Sequence, residues 1–163
     1  MVIEAIKKRR SIRTYKSDMI SDDLINEIIK AAQFAPTAHG TMAIEFIVIK
    51  DQKIKEDIFA IVGQEYVKEV PILIVPIATD QSTLAVQDLS VASQNIFLQA
   101  TALGLGSVWK NISPEWEDCV KNILDVPLNF RVINLIPIGM ANEEIADHSD
   151  DDFTEKKIHQ DKW

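Results

Sequence analysis

The stretch KKRRSIR, residues 7 to 13, gathers Lys7, Lys8, Arg9, Arg10 and Arg13 around Ser11 in a chain whose formal net charge is -8. Guanidinium groups hold phosphates and carboxylates through charge-assisted, often bidentate hydrogen bonds, and a nearby hydroxyl adds another donor. The spacing therefore suits an anion site. It equally suits a solvated helix end, because cations in a last turn complement the helix dipole. Composition narrows the partner: 25 acidic residues against 17 Lys and Arg leave no broad positive surface for a nucleic-acid backbone, so the anion expected here is small.

Other chemistries find no support in the spacing. His39, His148 and His159 are far apart, and the lone Cys119 is near none of them, so no zinc set forms. Asp150, Asp151 and Asp152 lack the spacing and glycine of a calcium loop. No nucleophile-elbow or P-loop pattern occurs. Gly104-Leu105-Gly106 closes a helix, whereas a dinucleotide fingerprint follows a strand and opens one, so it reads as a helix cap. Cys119 falls in an expected helix, where a lone cysteine is buried and inert, and it also leaves no partner for an internal disulfide, as in a reducing cytoplasm.

These residues need elements to position them. A chain of 163 residues suits one domain, 1–163. The longest apolar run, PILIVPIA at 71–78, is far short of the roughly 20 residues that span a bilayer. The basic N-terminus lacks the apolar segment and cleavage site of a secretory signal. The patterning predicts a short helix over 2–10, then one capped by Ser21 that stops before Pro36. A strand over 45–50 follows, with Asp51 capping a helix to about Val62. PILIVPIA reads as a buried strand, and 84–103 as the longest helix, striped by Leu89, Ala92, Ile96 and Ala100. Beyond Gly104 come a short strand over 106–109, a helix opened by Ser113 and Pro114, and a last core strand over 132–139. The tail that follows is acidic, and its final Trp163 suggests an anchored end.

In this order the segments resemble the flavin-dependent nitroreductase family. RRSIRTY resembles its opening signature. APTAHGTMAIEFIVI (35–49) is similar to its Ala-Pro-Ser loop and following strand, and VKEVPILIV (67–75) to the next strand. DLSVASQNIFLQATALGLGSVW (88–109) matches its central helix and Gly-Leu-Gly-Ser turn, VPLNFRVINLIPIGMA (126–141) its last strand, and KIHQDKW its closing residues. The resemblance implies an α+β fold, a nitroreductase-like sandwich whose mostly antiparallel sheet is flanked by helices. It also implies an intertwined homodimer with FMN at the subunit interface, the tail (142–163) reaching onto the partner. Arg9 and Ser11 would hold the FMN phosphate and ribityl chain, with Arg10 assisting, and Arg13 would stand near the flavin N1 and O2 edge. Pro36, Thr37 and Ala38 would line the ring, and Gly40 would reach the partner's flavin. Gln64 would meet the pyrimidine edge. Trp109, Lys110 and Asn111 would sit against the flavin, with the Asn111 backbone N–H facing N5 and no side chain as catalyst. His39 and Met42 would face substrate.

The implied activity is a cytoplasmic oxidoreductase that takes hydride from NADH or NADPH and reduces nitroaromatics, quinones or related acceptors by a ping-pong exchange. Departures from the family pattern qualify it. Gly40, Met42, Ala43 and Ile44 stand where the family has Asn, Gln, Pro and Trp, which implies a more hydrophobic substrate or weaker flavin binding. The loop that is often Gly-Gly reads Asn111-Ile112, and the tail lacks the arginines that complete a phosphate clamp. Two alternatives stay open: a flavin-binding or flavin-sensing protein with little turnover, and a non-flavin interaction module.

Overall fold

The apolar run at 71–78 forms the spine of the molecule. In the computed structural model, which describes residues 1–79 and 83–163, it becomes strand β2 (Ile72–Ala78), buried at every residue. β2 pairs antiparallel with β1 (Ile44–Ile49) on one side and β5 (Asn134–Gly139) on the other, setting Ile44 opposite Ala78 and Ile72 opposite Ile138. β5 also pairs antiparallel with β3 (Gly106–Ser107) and β4 (Lys110–Asn111), so the sheet runs β1-β2-β5-β3. Successive side chains of a strand leave on opposite faces. Ile72 and Ile74 accordingly pack with Ile28, Ile96 and Ala100 of helices α2 (Asp22–Gln33) and α5 (Thr83–Ala102). Leu73 and Val75 pack with Ile58, Val67 and Val120 of α3 (Gln52–Val62), α4 (Glu65–Glu69) and α6 (Pro114–Ile123). Each such buried branched side chain contributes about 1.5–3 kcal/mol, enough for the strand's alternation to hold a layer of helices on each face. This is the sandwich the resemblance implied.

Helix ends follow local chemistry. Ser21 Oγ accepts from the Leu24 N–H at 3.5 Å, and Asp51 Oδ1 from the Ile54 N–H at 3.0 Å. Gly104 ends α5 with φ +76°, a left-handed conformation that costs glycine little. Several boundaries differ from expectation. Helix α1 covers Glu4–Lys8, because Arg9 turns extended (φ -61°, ψ 118°) and leads the chain off the helix. The strand expected over 106–109 splits into β3 and β4, which moves Lys110 and Asn111 from a loop into the ladder. The last core strand starts at Asn134. Helix α4 was not anticipated: Val67 is its only buried residue, and one turn shows no periodicity. Cys119 lies on the exposed face of α6. In the tail, short turns form at Asp150–Asp152 and Glu155–Lys157, and the fully exposed Trp163 stacks on His159 with ring centres 4.4 Å apart. The anchor expected for Trp163 is thus not supplied by its own core. No helix among the described residues is long and apolar enough to cross a membrane.

Candidate active site

The basic segment runs along the outer side of β3. Ser11 and Ser107 form a parallel bridge, and the Ile12 N–H donates to the Ser107 carbonyl at 3.0 Å. The approach depends on Gly106, since a Cβ there would stand 2.8 Å from three atoms of Ile12. Tyr15 Oη donates to the Ile12 carbonyl from below, and burial pushes its phenol pKa far above the ordinary range. The Glu143 carboxylate accepts from the Arg13 and Thr14 N–H groups at 2.5 and 2.8 Å. An extended chain alternates its side chains, and this one sorts its cations. Arg10 and Ile12 line a groove of about 700 Å³ whose other wall is Glu143 to Asp147. Arg9 lines a separate hollow with Ile6, His148 and Phe153. Arg13 lies near Tyr66, where its charge opposes the rise in the phenol pKa that burial causes. Among the described residues, none of the three guanidinium groups forms an ion pair, whereas Lys7 reaches Asp150 at 3.8 Å and Lys8 reaches Glu4 at 3.1 Å.

Helix α4 carries Tyr66 toward Arg13 and begins after Gln64, whose Oε1 is buried without a hydrogen-bond partner among the described residues. The β4–β5 ladder presents a second unused group. Registered pairs in an antiparallel ladder alternate between hydrogen-bonded and non-bonded. Ile112 N–H donates to the Ile133 carbonyl at 2.9 Å, so the next pair, Asn111 with Asn134, is non-bonded. The Asn111 N–H therefore points away from β5, at an exposed position. Lys110 turns inward instead: its ammonium donates to the Asn111 carbonyl at 3.0 Å and lies 4.5 Å from the Trp116 ring centre, and burial lowers its pKa. Trp109 packs on Phe97, ring centres 6.2 Å apart.

The loop from Pro36 to Met42 lies elsewhere. It leads into β1, the edge strand opposite β3, and strand spacing puts that edge about 19 Å from the basic segment. His39, Gly40 and Met42 adopt positive φ of 56°, 66° and 48°, unusual for the two that carry side chains. Side-chain hydrogen bonds help hold this shape. Both Asp88 carboxylate oxygens accept from the Ala38 N–H, at 2.9 and 3.1 Å, and Thr37 Oγ1 accepts from the Met42 N–H at 3.0 Å. His39 lines a small hollow of about 200 Å³ with Ala43, Ile44 and Asp88, and Met42 is 71 % exposed. Asp88 was missed by the sequence reading; its signal was an acid one turn into the long helix with no charged neighbour on that helix.

The site residues thus form two sets on opposite edges. Ser11, Arg13, Gln64 and Asn111 belong to one, and Pro36 to Met42 to the other. The first set suits a heterocycle with a hydrogen-bonding edge: one guanidinium without an ion pair among the described residues, an orphaned amide oxygen and an outward backbone N–H, with Arg9 and Arg10 on the same segment as further cations for an anionic group. The Nitroreductase family profile matches residues 6–73 and 62–140. An Archaeoglobus fulgidus protein whose name pairs NADH dehydrogenase with NAD(P)H nitroreductase is 34% identical over 99% of this chain and 98% of its own length. An FMN-dependent nitroreductase from Clostridium difficile overlays with a TM-score of 0.93 at 32% identity, covering 99% of this chain and 100% of that one. A structure from Clostridium acetobutylicum, titled an NADH oxidase, overlays at 0.88 with 29% identity, covering 98% of this chain and all of its own. Profile, identity along nearly the whole length, and fold agree: the chain belongs to the nitroreductase family.

Proposed function

We propose that this chain, as a single FMN-binding domain over 1–163, is a cytoplasmic NAD(P)H-dependent oxidoreductase that works as a homodimer. It reduces nitroaromatics, quinones or related electron-poor acceptors by ping-pong exchange in one pocket. The reading is supported by the outward Asn111 N–H of β4, the Arg13 guanidinium that forms no ion pair among the described residues, and the orphaned Gln64 oxygen. When bound, FMN supplies the hydride-accepting and hydride-donating chemistry. The chain supplies position and field. Arg9 and Ser11 hold the phosphate and ribityl chain, with Arg10 at their back. Arg13 stabilises negative charge at the pyrimidine edge, Gln64 hydrogen-bonds it, and the Asn111 N–H faces N5. Pro36, Thr37, Ala38 and Gly40 come from the partner copy, with His39 and Met42 toward substrate and the tail (142–163) lying over the partner. The edge-to-edge separation supports this division.

The test is spectroscopic. Purified protein is expected to be yellow, or to become so with added FMN, and to bleach within seconds of anaerobic mixing with NADH or NADPH. A colourless protein that ignores FMN overturns the reading. The exposed Met42, in place of the family's Gln, favours a second one: a flavin-binding protein with little turnover, marked by colour without bleaching.

A further inference from the structure

Lys110 holds a charge that packing does not require. The residue is 8 % exposed, and among the described residues its ammonium meets no carboxylate within ion-pair distance; burial alone accounts for its lowered pKa. An ammonium held by one carbonyl and one ring is costly to bury. An unbranched apolar chain of the same length would fill the space over Trp116 at less cost.

The two bonds around residue 111 give the charge a use. The carbonyl that Lys110 holds at 3.0 Å belongs to the peptide whose N–H, on Ile112, donates to Ile133 at 2.9 Å. That peptide is therefore fixed at both ends. With it fixed, the backbone at Asn111 has little freedom left, and its own N–H stays directed off the sheet edge. The same arrangement puts an uncompensated positive charge within one residue of that donor, behind low-dielectric packing that screens it weakly.

We infer that Lys110 is a positioning residue: it locks the Asn111 peptide and, by its charge, favours reduced over oxidised FMN at the site. The inference rests on the flavin reading above. Lys110→Met and Lys110→Gln test it in the full chain, with two readouts. In flavin-free protein, amide exchange at Ile112 is expected to quicken at least fivefold in Lys110→Met and less in Lys110→Gln, which keeps a donor. With FMN bound, the ratio of affinities for reduced and oxidised cofactor is expected to fall about tenfold in both variants, a midpoint about 30 mV more negative, and Lys110→Arg should restore it. A wild-type midpoint in both uncharged variants overturns the electrostatic role, and unchanged Ile112 exchange overturns the positioning role. Wild-type protein that binds no FMN sinks the flavin reading instead, and the exchange arm still decides the positioning role.

Discussion

Arg9, Ser11 and Arg13 stand two apart along an extended segment, so the alternation that sets strand faces also separates them from Arg10. Five cations in seven residues become several local sites. Replacing Arg9 and Arg13 together by alanine should weaken FMN binding by about a hundredfold to ten-thousandfold, because each charge-assisted contact is worth roughly 1.5–3 kcal/mol; titration by flavin fluorescence measures it, and Arg10→Ala should lose much less. Tyr15 contributes to alkaline behaviour. Its phenol pKa is raised in the folded protein by burial, so the unfolded chain releases this proton near pH 10 while the native one keeps it. The native state then binds more protons, and stability falls as pH rises above about 10. Tyr15→Phe should flatten that fall and, by losing the bond to the Ile12 carbonyl, lower stability at pH 8 by about 1 kcal/mol. Urea midpoints at pH 8 and pH 10.5 for both proteins check the sign.

At the scale of elements, caps and periodicities were legible because each rests on local chemistry: Ser21 and Asp51 opened helices and Gly104 closed one where expected. The unbroken apolar run of 71–78 likewise announced a strand buried on both faces. What stayed hidden depends on contacts distant in the chain. Helix α4 is a single turn held by Val67 in the core, and without it Gln64 has no fixed place. The clamp of Asp88 on Ala38 joins residues 50 apart. Nor does composition show that Lys110, read as a cofactor contact, turns away from the surface. Asp88→Ala should free the Pro36 to Met42 loop, whose positive-φ residues then lose their tether. Amide exchange at Ala38 and Met42 should quicken about tenfold or more, given about 1.5–3 kcal/mol for a hydrogen bond to a charged group, while amides of β2 and β5 stay protected.

Across the whole molecule, the basic segment and the loop occupy opposite sheet edges, and this shapes the most telling prediction. A chain carrying Arg9→Ala with Arg13→Ala and a chain carrying Ala38→Arg should each be colourless alone. Refolded together in equal amounts, they should recover about a quarter of the wild-type flavin per chain, because half the random pairs are mixed and each mixed pair has one intact site. No recovery would place the whole site within one copy. The family fold could be read from the order of motifs, but the placement of the segment and the loop on opposite edges could not, since it follows from which strands lie at the edges. In the proposed homodimer this placement also links cofactor to assembly. A ligand that binds only the paired form stabilises it by mass action, so stripping the flavin should loosen the pair, and dilution past its dissociation constant should release the colour.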